Sequence, residues 1–253
     1  MMILLIVCML LGFAIVHIIK LFRLYLIIMD KKVSFERFVP AYLRTTLVNL
    51  IVPFKLGEIY RVCEFARMTK SFEAGFFGVL IDRFFDTLAI VILLLPYQIC
   101  ISGNVTAPVV LLTLFIIAIV FTYMIFPSSY SFLNSYIIRT KSSKRSMSAL
   151  KGLEILHEWY ENVKELVIGR YGLLIMSSVA AWVVELMVLA GFSHIYGRDF
   201  KLIDFGQYIE SIILGNSYGI GRMYTSASIC VIAVATVIGS IIYIVNKIRR
   251  QAS

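Results

Sequence analysis

The stretch that decides the fold is FFGVLIDRFFDTLAIVILLL, residues 76–95. Its side chains are apolar or small except at Asp82, Arg83, Asp86 and Thr87. A helix of about 20 such residues is long enough to cross the hydrocarbon core of a bilayer. A charged side chain at that depth costs roughly 2.5–3.5 kcal/mol on insertion scales, so it normally faces protein and has a partner. The stretch predicts a membrane-spanning helix whose charges face the protein interior.

The whole chain has the composition of an integral membrane protein. Of its 253 residues, 60% are hydrophobic and 15% are charged, whereas a soluble domain is about half apolar and about a quarter charged. This composition excludes a disordered chain, a disulfide scaffold and a cytosolic enzyme. The net charge of +9 fits basic loops beside an anionic membrane surface, and we expect no nucleic-acid partner.

Hydropathy divides the chain into continuous and interrupted apolar segments. Two segments, 38–54 and 205–222, are apolar but broken by proline, glycine or charged residues, which suits re-entrant helices covered by protein or water. We therefore predict an all-α polytopic membrane protein with about five spanning helices and two re-entrant broken helices. The five spanning segments are residues 2–19, 74–101, 109–126, 173–195 and 229–245.

The basic residues predict the orientation. Residues 20–73, residues 128–170 and the tail from Lys247 together hold 20 of the 24 Lys and Arg. Because cytoplasmic loops carry the excess of positive charge, we expect a multi-pass cell-membrane protein with its N-terminus outside and its C-terminus in the cytoplasm. Lys20 and Arg23 follow the first apolar segment, so we expect a retained helix and not a signal peptide, with both residues in the cytoplasmic stretch.

The predicted layout has an inverted symmetry within a single domain, residues 1–253. The first unit is 1–101 and the second is 171–253, and residues 102–170 connect them. A short echo, Gly57-Glu58-Ile59-Tyr60 against Gly221-Arg222-Met223-Tyr224, supports the relation. Inverted repeats whose broken helices meet near the midplane indicate a transporter.

The connecting region contains an amphipathic segment, residues 141–168. Leucines, Trp159 and Val163 recur at helical spacing, and Lys and Glu residues occupy the other faces. This pattern predicts a helix that lies on the cytoplasmic membrane interface or packs on the protein's own loops.

Asp82, Arg83 and Asp86 form the densest group of charges within an apolar segment. Asp82 and Asp86 are four residues apart and share a helical face, and Arg83 lies one turn from Asp86. The group is interpreted either as an ion-pair staple between helices or as a polar site for a lipid headgroup or coupling ion. Without nearby histidines or further carboxylates, we expect no metal there.

A second cluster runs from Asn49 to Arg61. Pro53 ends one helix, Gly57 permits a bend, and Glu58 suits the start of the next helix. Free N–H groups at such a break can bind an anion, and Lys55 and Arg61 add positive charge. The alternative is a capped cytoplasmic helix in which Glu58 serves only the cap.

A third group lies in the second unit. Glu185 sits mid-helix, and the broken segment contributes three polar residues, Glu210, Asn216 and Arg222. These would give the outer half of the protein a polar lining, and Arg222 could pair with Glu58 as a gate. No motif of a known catalytic centre is present, so we expect neither a catalytic residue nor a cofactor.

These motifs resemble the transmembrane region of lysylphosphatidylglycerol synthases, also called the flippase-like domain family. That family shows a Pro-x-x-x-Gly-Glu-x-x-Arg motif followed by a helix with Asp/Glu-Arg-x-x-Asp. The residues that match here are Pro53, Gly57, Glu58, Arg61, Ser71, Asp82, Arg83 and Asp86. The family's later Pro-Gly-Gly-Leu-Gly-x-x-Glu element is matched only by the glycines of Ser217–Arg222, without the proline and the acid.

The resemblance implies a membrane transporter that moves or binds a lipid with an anionic headgroup. An aminoacyl-phospholipid or a polyprenyl-phosphate-linked sugar would be the substrate, and a cytoplasmic synthase or glycosyltransferase would be a partner. The alternatives are a membrane glycosyltransferase or transferase subunit that uses a lipid-phosphate donor, and a scaffold for cell-envelope synthases.

Overall fold

The computed structural model describes residues 2–52, 56–140, 144–195, 197, 199–201, 204–206, 208–209 and 220–252, and most of them are helical. A 3₁₀ turn, Met29–Lys31, follows the first helix, and a π-helical turn, Gln98–Ser102, extends the fourth. The long helices are α1 (Met2–Ile28), α2 (Phe35–Ile51), α3 (Leu56–Thr69), α4 (Phe72–Tyr97), α5 (Ala107–Thr140), α6 (Lys144–Val167), α7 (Tyr171–Ile195) and α8 (Ile220–Ala252).

Five of these helices are long and apolar enough to cross a membrane. The spans are Val7–Lys31, Phe72–Ile101, Ala107–Arg139, Tyr171–Ile195 and Met223–Asn246. They confirm the predicted all-α polytopic membrane class and its five spans. Most of the predicted broken segment 205–222 lies outside the described residues.

Helix α1 is longer than the sequence predicted. It was expected to end at residue 19, but it continues to Ile28. Arg23 is therefore 1% exposed inside the protein, and the prediction that Lys20 and Arg23 belong to a cytoplasmic loop is wrong. The physical reason is that both cations have acidic partners on other spanning helices, which offsets the cost of their burial.

Helices α2 and α3 form an antiparallel hairpin. Arg44 pairs with Glu64 at 2.9 Å, Arg61 donates to Thr46 at 3.2 Å, and Asn49 donates to Glu58 at 2.7 Å. The sequence separation of the partners decreases from 20 to 15 to 9 residues, so α2 and α3 run in opposite directions. The helices have 17 and 14 residues, which makes them about 25 and 21 Å long, shorter than a hydrocarbon core of about 30 Å.

Close approach at Gly57 holds the tip of the hairpin together. A Cβ atom added to Gly57 would lie 2.4 Å from the Cα of Asn49. Gly57 has no left-handed backbone conformation and lies within the first turn of α3. The prediction that Gly57 permits a bend is therefore wrong, because its missing side chain instead lets two backbones touch.

The apolar core has two parts with a polar layer between them. One cluster holds Leu24 and Ile27 of α1 with Phe77 and Phe85 of α4. The other holds Phe13 of α1 with Ala89 and Leu94 of α4 and Val188 and Leu189 of α7. On α1, Lys20 and Arg23 lie between Phe13 of one cluster and Leu24 of the other. On α4 the charged residues lie around Phe85, where the first cluster gives way to the second, and Glu185 lies near the middle of α7. The polar layer therefore crosses the middle of three spans.

Helix α6 packs on the protein at the end where α1 stops and α4 starts. Glu165 pairs with Lys31 at 3.0 Å, and Asn162 donates to Glu73 at 2.8 Å. The turn after α6 is fixed as well, because Arg170 pairs with Asp30. The predicted amphipathic helix is present, and these contacts place α6 and the turn after it beside the end of α1 and the start of α4.

Candidate functional site

A cavity of about 610 Å³ opens beside the polar layer. The tip of the α2–α3 hairpin forms one wall, α1, α4 and α7 form the opposite wall, and Tyr208 and Tyr224 close one end. The predicted site residues that it brings together are Asn49, Glu58, Arg61, Asp82, Arg83, Asp86 and Glu185. Lys55, Glu210 and Asn216 lie outside the described residues, as does the side chain of Arg222, so the expected gate does too.

Arg23 is the centre of a fully bonded staple behind the cavity. Its guanidinium donates to Asp82 at 2.8 Å, to Asp86 at 3.0 Å and to Ser178 at 2.9 Å. Asp86 also accepts from the Trp182 indole at 3.0 Å. These bonds tie α1, α4 and α7 together at mid-height. A buried ion pair is tolerated only when its remaining donors and acceptors are satisfied, and Arg23 meets that condition.

Sequence reasoning missed Arg23 as a member of this group. A signal existed, because the residues after it, LYLII at 24–28, continue the apolar helix beyond the two cations. A helix that resumes after a charge indicates an intramembrane charge with a partner.

Arg61 is as buried as Arg23 but poorly bonded. Its one described hydrogen bond goes to the Thr46 hydroxyl at 3.2 Å. Its Nη1 lies 3.7 Å from Glu58 Oε2 and 3.8 Å from Asp82 Oδ2, too far for hydrogen bonds. Nε and Nη1 have no hydrogen-bond partner among the described residues, and neither has Glu58 Oε2. A 3% exposed arginine therefore faces the cavity with two unused donors.

Arg83 lies between the staple and the cavity. Its Nη2 donates to Asp82 Oδ2 at 2.8 Å, and its Nη1 lies 3.5 Å from Asp86 Oδ2. Its Nε, 3.7 Å from Glu58 Oε1, makes no hydrogen bond within the described residues. Because its side chain is 40% exposed, Arg83 can approach a ligand without leaving Asp82.

Glu185 closes the opposite end of the polar layer. Lys20 Nζ lies 2.6 Å from Glu185 Oε2 and 5.0 Å from the centre of the Trp182 ring. The hydroxyl of Tyr208 donates to Glu185 Oε1 at 3.0 Å. Both carboxylate oxygens are thus occupied, so Glu185 is neutralised within the protein.

The described part of the site is balanced in charge. Four cations, Lys20, Arg23, Arg61 and Arg83, face four acids, Glu58, Asp82, Asp86 and Glu185. Among the described residues no group of three or more His, Cys, Asp or Glu has a geometry suited to a metal ion. The described part of the site therefore contains short ion pairs and one buried arginine, Arg61, that leaves two hydrogen-bond donors unused.

The sequence matches the model of a known protein family over most of its length. Residues 1–214 match the family model described as the lysylphosphatidylglycerol synthase TM region. The chain belongs to this family. The match spans both charged clusters and most of the spanning helices, which supports a role in lipid handling for this member of the lysylphosphatidylglycerol synthase TM region. The comparisons with curated proteins and with solved structures gave no match.

Proposed function

We propose that this membrane protein is a flippase-like transporter that binds the anionic headgroup of a lipid in the central cavity. The observation that carries the proposal is the contrast between two buried arginines. Arg23 has its donors satisfied, whereas Arg61 faces the cavity with two donors that lack partners among the described residues. A buried donor without an acceptor costs about 1–3 kcal/mol, more when it is charged. The phosphate oxygens of a headgroup would supply that acceptor.

The under-bonded groups suit reversible binding. Arg61 is held by Coulomb attraction at 3.7–3.8 Å from two acids, so a phosphate can approach it without first breaking a short ion pair. Arg83 adds a second partly free cation beside it. Asp82 and Asp86, being bonded to Arg23, would position the cations and leave direct contact with the headgroup to Arg61 and Arg83.

The hairpin supplies a route to that cavity. Because α2 and α3 are too short to span separately and run antiparallel to each other, we propose that they form a re-entrant hairpin with its tip at membrane depth. Non-helical backbone at that depth is tolerated where it lines a cavity. A second re-entrant segment at 205–222, inverted relative to the first, would complete the pathway, with the C-terminus in the cytoplasm.

Replacement of Arg61 tests the proposal. In vesicles that contain the purified protein, transbilayer movement of a fluorescent phosphatidylglycerol is measured by dithionite quenching. Arg61→Gln should slow this movement at least tenfold, because a charge-assisted hydrogen bond to phosphate contributes about 1.5–3 kcal/mol. The matched control is Arg67→Gln on the same helix, whose side chain is 81% exposed and whose loss should change the rate less than twofold. Equal rates for the wild type and Arg61→Gln would refute the proposal.

A further inference from the structure

A second cavity, of about 700 Å³, lies between the start of α2 and the C-terminal half of α8. Lys32, Ser34 and Arg37 line it on one side, and Ile242 and Asn246 line it on the other. It shares no lining residue with the central cavity. Nothing in the proposed transport function requires it.

The cavity lies where the membrane-spanning part of α8 ends. The apolar span runs from Met223 to Asn246, and the sequence that follows contains Lys247, Arg249 and Arg250. Asn246, which lines the cavity, directly precedes these basic residues in the sequence. Because the apolar stretch of α8 gives way to basic residues here, we expect the cavity to lie near the headgroups.

Two cations at the rim of this cavity have no acidic partner among the described residues. Lys32 and Arg37 form no ion pair and no side-chain hydrogen bond with the residues that the structure describes, whereas the neighbouring Lys31 is paired with Glu165. Glu36 is the acid of the same lining and has an interaction of its own. Ser34 begins α2 without using its hydroxyl as a cap, so the positive end of the helix also faces this rim.

Apolar side chains also line this cavity. Phe35 and Ile242 are 50% and 55% exposed, and Val39 contributes a further apolar side chain. At Gly239, α8 approaches α2 closely enough that an added Cβ would lie 3.0 Å from Leu43 Cδ1. The two helices thus form the floor of a groove that is lined by both apolar and basic side chains.

We propose that this groove binds one anionic phospholipid. Lys32 and Arg37 hold the phosphate together with the Ser34 hydroxyl, and an acyl chain lies along Val39 and Ile242. The occupant is a membrane lipid and not a soluble anion, because the groove joins a phosphate-binding rim to an apolar floor at the membrane boundary. A lipid at this position bridges α2 and α8, and so fixes the base of the hairpin that lines the central cavity.

A local probe of lipid contact tests the inference. A small environment-sensitive fluorophore is attached to Ile242→Cys in a variant in which the four native cysteines are replaced. Brominated phosphatidylglycerol should quench it at a mole fraction roughly thirtyfold below that needed with brominated phosphatidylcholine, because each cation near an anionic lipid contributes about a fivefold factor. Lys32→Gln/Arg37→Gln should abolish this preference.

The control is Arg139→Gln/Lys151→Gln, which removes the same charge from exposed positions on α5 and α6 and should keep the preference. Arg61→Gln should keep it too, so a failure of this inference is distinguishable from a failure of the transport proposal. Equal quenching by the two lipids, a preference that survives Lys32→Gln/Arg37→Gln, or displacement of the lipid by inorganic phosphate would each overturn the inference.

Discussion

At the scale of single residues, hydrogen bonding separates buried charges that hold the fold from those that are available to a ligand. Arg23 and Arg61 have the same chemistry and nearly the same burial. They differ in that Arg23 donates to three side chains on two helices, while Arg61 donates to one neutral hydroxyl. The sequence left open whether the charged layer is a staple or a ligand site. We therefore assign the staple to Arg23 and propose the ligand site for Arg61.

This difference predicts opposite effects on stability and transport. Arg23→Gln should lower the free energy of unfolding by about 3–5 kcal/mol, because it leaves two buried carboxylates without their main partner. Arg61→Gln should lower it by clearly less, because Arg61 makes one hydrogen bond to a neutral hydroxyl and two longer ion-pair contacts, at 3.7 and 3.8 Å. Unfolding in mixed micelles with increasing dodecyl sulfate measures both. An Arg61→Gln variant as unstable as Arg23→Gln would contradict the assignment.

A double-mutant cycle isolates the staple itself. Arg23→Gln and Asp82→Asn should be strongly coupled, by more than about 1 kcal/mol, because the two side chains share one buried interaction. The control cycle pairs Arg23→Gln with Glu64→Gln, whose carboxylate bonds to Arg44 on the hairpin, and should be additive. Additive behaviour in the first cycle would show that Arg23 and Asp82 do not depend on each other.

At the scale of elements, the α2–α3 hairpin depends on small residues where helices touch. Gly57 of α3 faces the backbone of Asn49, and Gly75 of α4 faces the backbone of Ala66, where an added Cβ would meet a backbone nitrogen at 2.4 Å. Small residues at such contacts are the usual means by which helices pack closely in membranes. Helix α3 is therefore held on both sides by glycines that let it approach its neighbours.

Substitution of Gly57 tests this packing. Gly57→Ala should cost about 1–3 kcal/mol of stability, because the new Cβ forces the two helices apart, and should slow transport by moving Asn49 away from Glu58. Gly152→Ala in α6 is the matched control, as nothing lies within 4 Å of its added Cβ. That control should gain up to about 1 kcal/mol from the better helix propensity of alanine. Thermal unfolding in detergent compares the two.

At the scale of the whole molecule, hydropathy and charge predicted more of the fold than of the site. The five spans follow from local composition, and the reversal after α2 follows from Pro53 and the short segments around it. The burial of Lys20 and Arg23 could not be predicted in this way, because their partners Glu185 and Asp82 lie 165 and 59 residues further along the chain. The contrast between Arg23, with ion pairs at 2.6 and 3.0 Å, and Arg61, with ion pairs at 3.7 and 3.8 Å, depends on distances that no sequence pattern specifies.

The orientation remains a prediction for the whole molecule. In a variant without native cysteines, Arg145→Cys should react with a membrane-impermeant maleimide only after the cells are opened, and Asn104→Cys should react in intact cells. The reason is that α6, in a basic segment that favours the cytoplasm, lies beside the start of α4, and the loop after α4 lies at the other end of that helix. Labelling of residue 145 in intact cells would show that the protein has the opposite orientation.

The staple at Arg23 also constrains how the chain is made. When α1 leaves the ribosome, its arginine has no acceptor, because Asp82 is synthesised 59 residues later and Ser178 155 residues later. At about 5–20 residues per second, the first of these intervals lasts roughly 3–12 s. During that time α1 carries an unpaired cation that hydrocarbon rejects, so it cannot settle at its final depth. We therefore expect α1 to reach its final depth only after α4 has been made, while the rest of the chain is still being translated.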